Sequence, residues 1–131
     1  MSKNKALIIT DGTKPIRSAA LLIKGALSDG YKVKICPAKK FAATDLLPAD
    51  VFFIGSKRAK PKSFAGLEEF FAHVNLASRR CGIFSINEKS LKYLKGMLAD
   101  SEANLGEPLI VSEDEAEKST GNINKWIKNL L

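Results

Sequence analysis

Cysteine, histidine and aromatic residues are all scarce in this chain. It has two cysteines and one histidine in 131 residues, with one tryptophan and 8% aromatics. Cys36 and Cys81 are too few for a disulfide scaffold and predict reduced thiols in a cytoplasmic setting. His73 sits in a helical stretch beside Phe70 and Val74 with no general base near it, which reads as a packed or surface residue. No Ser-His-Asp pattern, paired carboxylates or metal-ligand spacing stands out, so hydrolytic and metal chemistry have no support. The longest apolar stretches run only a few residues, against the ~20 a bilayer-spanning helix needs. The start, MSKNKALIIT, lacks the apolar segment of a secretory signal. Acidic residues are also short. Fourteen Asp and Glu against 21 Lys and Arg leave a net charge of +7, which attracts anions but says nothing about fold.

What remains is the balance of a globular protein, 45% hydrophobic and 27% charged, at the length of one domain. Residues 5–10 (KALIIT), 51–55 (VFFIG) and 81–86 (CGIFSI) are continuous apolar runs, the signature of strands covered on both faces. Residues 31–36 (YKVKIC) alternate, as a half-covered strand does, and 108–112 (PLIVS) gives a fifth. Between them lie helical stripes. Ile16, Ala19, Ala20, Ile23 and Leu27 open after Pro15 and end at Gly30. Phe64, Leu67, Phe70, Phe71 and Val74 form a second stripe. Leu91, Leu94, Leu98 and Leu105 mark a long helix stopping near Gly106, and Ile123, Trp126, Ile127 and Leu130 line the last one. Residues 37–48 carry no long stripe and predict a short helix or a loop. Strand and helix alternate throughout, without repeat, low-complexity segment or linker. Residues 1–131 therefore form a single α/β domain, a parallel sheet with right-handed crossovers and helices on both faces. Cys36 and Cys81 fall on strands 2 and 4, about 15 Å apart or more, beyond disulfide reach.

The run "KALIIT", a Thr- and Gly-bearing loop, a helix ending "ALSDGYKV", then "ADVFFIG" and "CGIFSI", each with a polar loop, resembles a flavodoxin over nearly the whole chain. The resemblance implies a flavodoxin-like three-layer sandwich, a five-stranded parallel sheet of order 2-1-3-4-5. Its ligand crevice opens between strands 1 and 3 at their carboxyl ends. It also implies FMN, held by three loops. In the first, Thr10-Asp11-Gly12-Thr13-Lys14-Pro15-Ile16-Arg17-Ser18 matches a phosphate loop of hydroxyls and backbone amides at a helix N-terminus. Thr10 and Thr13 match two of its hydroxyls. Lys14 stands for a glycine, Ile16 for a threonine, and Pro15 removes an N–H. The second loop, residues 56–63 (SKRAKPKS), has no aromatic before Phe64 to face the flavin. The third, Asn87-Glu88-Lys89-Ser90-Leu91, reaches an aromatic only at Tyr93. Flavodoxins are acidic, whereas a +7 chain would steer other partners and stabilise a flavin anion, raising its potential.

On that topology the loops after strands 1, 2 and 3 are basic and the loop after strand 5, with Glu113, Asp114, Glu115 and Glu117, is acidic. The two patches are expected roughly 10 Å apart, about one Debye length. Arg17 and Arg58 suit bidentate phosphate contact, with Lys14 and Lys57 as point charges. The candidate site is therefore Thr10, Asp11, Gly12, Thr13, Lys14, Arg17, Ser56, Lys57, Arg58, Asn87 and Lys89. The reading is a divergent flavodoxin-like module, non-enzymatic, whose basic crevice takes a phosphate-bearing small molecule or an acidic protein partner without standard FMN binding. The alternative is an FMN electron carrier with a remodelled pocket. Nucleic acid ranks last, since no aromatics interleave with the basic run as a stacking platform requires, and no membrane partner is implied.

Overall fold

The computed structural model describes residues 4–114 and 116–131. Its strands are β1 (Asn4–Thr10), β2 (Tyr31–Pro37), β3 (Val51–Gly55), β4 (Arg80–Ser85), β5 (Asn104–Leu105) and β6 (Leu109–Ile110). Its α-helices are α1 (Lys14–Leu27), α2 (Ala43–Leu46), α3 (Ala65–His73), α4 (Glu88–Leu98) and α5 (Thr120–Leu130). The sheet runs β2-β1-β3-β4-β5, with β6 also paired to β4. Every pairing between these strands is parallel.

Period-two alternation along the continuous apolar strands splits the core in two. Leu7, Ile9, Phe52, Ile54, Cys81 and Ile83 face one side, where Leu46 of α2, Leu67 and Phe71 of α3, and Leu91, Leu94 and Leu98 of α4 cover them. Ala6, Ile8, Val51, Phe53 and Phe84 face the other, covered by α1 and by Ile123, Trp126 and Ile127 of α5. The central strands are buried on both faces, which is why their sequences do not alternate. β2 is the edge. Its Lys32 and Lys34 are exposed because α2 is a single turn of four residues. Arg79 holds that turn in place, donating to the carbonyls of Ala49 and Leu47, both at 2.6 Å, and of Leu46 at 3.3 Å.

Two expectations are corrected. The helix expected to run to Leu105 ends at Leu98, and a short 3-10 turn covers Ala99–Ser101. Glu102 takes a left-handed conformation, φ 62°, which an α-helix cannot continue through, and Leu105 passes into β5. The fifth strand is also not one run over 108–112. Within that range only Leu109–Ile110 (β6) is strand, and a second short strand, β5, precedes it across Gly106, whose N–H donates to the Cys81 carbonyl at 3.1 Å.

Trp126 is clamped between Phe53 and Phe84, with ring centroids 5.5 and 6.3 Å away, and its indole N–H donates to the Glu107 carbonyl. Gly82 makes room for it. A Cβ there would lie 2.7 Å from the Phe53 ring and 2.8 Å from the Trp126 ring. Gly82→Ala should therefore lower stability by about 1–3 kcal/mol through overpacking, read as a lower urea midpoint at unchanged slope. The cysteines lie on β2 and β4, separated by β1 and β3, and both are buried and free. Burial pushes both thiols up, Cys81 the further, and Asp45 adds to the rise at Cys36. Neither should react with a disulfide reagent at mild alkaline pH until the chain is unfolded in urea; fast labelling of the native protein would contradict the packing around them.

Candidate functional site

Thr10, the last residue of β1, is paired in register with Gly55, the last of β3. The loops that follow therefore leave the sheet side by side at the switch point. Gly12 turns the first loop at φ 82°, a conformation that glycine adopts without strain. Its N–H reaches back to Thr10 Oγ1 at 3.3 Å. Asp11, half-buried, points inward. Its Oδ1 accepts from the Thr13 N–H at 3.0 Å and the Thr13 hydroxyl at 2.6 Å. Its Oδ2 accepts from the Lys57 N–H at 2.7 Å, joining positions 46 residues apart. One carboxylate thus gathers three donors at the start of α1, where the helix dipole favours negative charge. Pro15, in the first turn of α1, contributes no N–H.

The loop after β3 is held from below. The Ser85 hydroxyl donates to the Ser56 carbonyl at 2.6 Å, and the Ser56 hydroxyl donates to the Arg58 carbonyl. The Lys57 carbonyl accepts twice, from Asn87 Nδ2 at 3.1 Å and from the Ser90 hydroxyl at 3.0 Å. Asn87 also caps α4, its Oδ1 accepting from the Ser90 N–H at 2.8 Å, a standard N-cap arrangement. Lys60 turns the chain at φ 52° before Pro61. The result is an open crevice of about 450 Å³ lined by Asp11, Thr13, Lys57, Arg58, Lys60 and Lys62. Lys57 Nζ lies 3.2 Å from Glu113 Oε1.

The eleven candidate residues do not form one cluster. Asp11, Thr13, Lys57 and Arg58 meet at the crevice. Thr10, Gly12, Ser56 and Asn87 shape it through the bonds just described. Lys14 and Arg17 are exposed on α1 and do not line the crevice, and Lys89 lines a different groove beside α4. The expected gap between basic and acidic patches is closed at one point by the Lys57–Glu113 pair, although Glu115 lies outside the described residues. Neither aromatic residue near the second and third loops lines the crevice. Phe64 is fully buried. Tyr93 packs against it with ring centroids 6.4 Å apart and donates its hydroxyl to Met97 Sδ, while burial and neighbouring Glu68 push its phenol up. Sequence reasoning missed the bracing roles of Ser85 and Ser90. The spacing Asn87-x-x-Ser90 is the N-cap pattern that could have pointed to the latter.

No family model matches the chain, and no curated protein matches it. Solved structures do. A short-chain flavodoxin associated with a PDU bacterial microcompartment has a TM-score of 0.85 at 13% identity, covering 98% of this chain and 97% of that one. The flavodoxin of Streptococcus pneumoniae TIGR4 scores 0.81 at 17% identity, with 96% of both chains covered. Oxidised flavodoxin 2 of Bacillus cereus scores 0.80 at 19% identity, with 96% and 97% covered. The chain has the flavodoxin-like fold, in the strand order that the resemblance implied.

If Asp11 joins the two loops, Asp11→Ala leaves the N–H groups of Thr13 and Lys57 without acceptors. The expected loss is about 1–3 kcal/mol, measured by chemical denaturation. Asp11→Asn should recover only part of it, because its amide keeps one acceptor and presents a donor to the other loop.

Proposed function

We propose that this chain is a flavodoxin-fold binding or accessory module, non-enzymatic, whose crevice between the loops after β1 and β3 takes an anionic group. The ligand class is a phosphate-bearing small molecule or an acidic segment of a protein partner. One observation carries the reading. The N–H and hydroxyl of Thr13, in the loop that matches the phosphate loop, are directed onto the carboxylate of Asp11, as is the N–H of Lys57 from the loop after β3. An incoming phosphate would meet that charge at close range, so an external anion is better held further out by Arg58, Lys60 and Lys62. The burial of Phe64 and the absence of Tyr93 from the crevice lining support the same reading, since neither ring stands in the crevice to stack on a flavin.

A second reading, an FMN electron carrier with a remodelled pocket, is favoured by the near-complete overlap with several flavodoxins. Fold likeness alone does not choose between the two. The deciding experiment is the visible spectrum of the purified protein, followed by FMN titration read by flavin fluorescence and inorganic pyrophosphate titration read by calorimetry. The first reading expects a colourless protein, no saturable quenching at micromolar FMN, and pyrophosphate binding that Lys57→Ala/Arg58→Ala weakens. Glu113→Ala should strengthen pyrophosphate binding a few-fold by freeing Lys57. A yellow protein or saturable FMN quenching would establish the second reading and sink the first.

A further inference from the structure

A second basic surface lies on the opposite side of α4 from the α3 packing, at the open edge of the sheet. β6 pairs with β4 and with no other strand among the described residues. The Val111 N–H donates to the Ser85 carbonyl at 2.8 Å, and Ile110 stands opposite Ser85 in the register. Backbone groups alternate in direction along a parallel strand, so the N–H and C=O of Ile110 point away from β4 toward the open edge. Its side chain is 46% exposed, while Leu109 and Val111 on either side are buried against the α1 and α5 face. Ile110 faces the α4 side. Together with Leu91 and Pro108 it forms the apolar floor of a groove of about 560 Å³.

The wall of this groove is basic. Lys89, Lys92 and Lys95 line it with Glu88 as the single acid, and none of the three lysines has an ion-pair partner among the described residues. These positions recur at helical spacing along one face of α4, parallel to the strand edge. A bare strand edge, an apolar floor and a row of unpaired cations form one continuous surface. Each element is common by itself; their alignment is what specifies an occupant.

We propose that this groove docks an acidic, extended segment of a partner protein, which adds to the sheet alongside β6. Its backbone pairs with the exposed groups of Ile110, an apolar side chain lies over Ile110 and Leu91, and its carboxylates face the three lysines. Strand addition of this kind draws affinity from main-chain hydrogen bonds and specificity from alternate side chains. The lysines add steering and select against basic segments. The surface is separate from the crevice, and the inference does not depend on what the crevice binds.

The test uses the full chain and a fluorescein-labelled octapeptide of alternating glutamate and valine, with an alternating lysine and valine peptide as the control. Anisotropy should rise saturably for the acidic peptide, not for the basic one, and less steeply as salt is raised. Amide chemical shifts should move at Leu109, Ile110 and Val111 and along α4. Lys89→Glu/Lys92→Glu/Lys95→Glu should weaken binding about tenfold or more while leaving pyrophosphate binding at the crevice intact. The corresponding triple alanine variant, with folding checked by circular dichroism, should show a smaller loss in the same direction. Flat anisotropy would overturn the proposal and leave the lysines as charges that keep a bare edge from aggregating. Shifts confined to residues 57–62, or binding indifferent to charge reversal, would overturn it equally. So would sedimentation showing that the chain pairs with itself through β6, since the occupant would then be a second copy.

Discussion

The carboxylate of Asp11 is the constraint on which the crevice depends. A carboxylate of ordinary reach sits at the positive end of α1 and draws in donors from two loops that are remote in sequence. Charge-assisted bonds of this kind are about twice as strong as neutral ones, and here they satisfy amides that would otherwise need a ligand or water. Part of the positive potential at the start of α1 is thus met internally, by one carboxylate. The side chains of Lys57, Arg58, Lys60 and Lys62 line the crevice around it.

The rest of the structure makes that arrangement stiff. The Asp11 bond to Lys57 matters only because Lys57 is itself fixed, its carbonyl held by Asn87 and Ser90 and its neighbour Ser56 held by Ser85. Those residues stand at the end of β4 and the start of α4, so three successive loops at the carboxyl edge are tied into one network. Behind it the central strands are packed on both faces, with Trp126 held between Phe53 and Phe84 and a glycine at position 82 giving it room.

How much of this was legible in the sequence follows from range. The apolar runs at 5–10, 51–55 and 81–86 signal strands covered on both sides, and the alternation of YKVKIC marks β2 as an edge, because local pattern and global burial agree there. The leucine spacing that carried the third helix on to Leu105 failed because Glu102 breaks the helix by its backbone conformation, for which the side chain gives no signal. The split of the last strand around Gly106 likewise depends on how residues 104–110 meet β4. At the site, the basic run from Lys57 to Lys62 could be seen, but the role of Asp11 could not. In the sequence it is an acid in the wrong place for a phosphate; only the fold brings its partner, the amide of Lys57, within 2.7 Å.

The net charge of +7 also takes on a different meaning once placed. As a single number it implies a general attraction for anions. In the fold two of its clusters stand out: the crevice, where Lys57 is already paired with Glu113, and the outer face of α4, where Lys89, Lys92 and Lys95 have no ion-pair partner among the described residues. Exposed pairs contribute little to stability, so neither set is explained by holding the fold together. A partner bearing one acidic segment would be steered to whichever patch also matches it in shape. At the crevice that shape is an open bowl with a resident carboxylate. Beside α4 it is a linear groove, floored by Leu91, Pro108 and Ile110 and bordered by a strand edge that pairs with no further strand among the described residues.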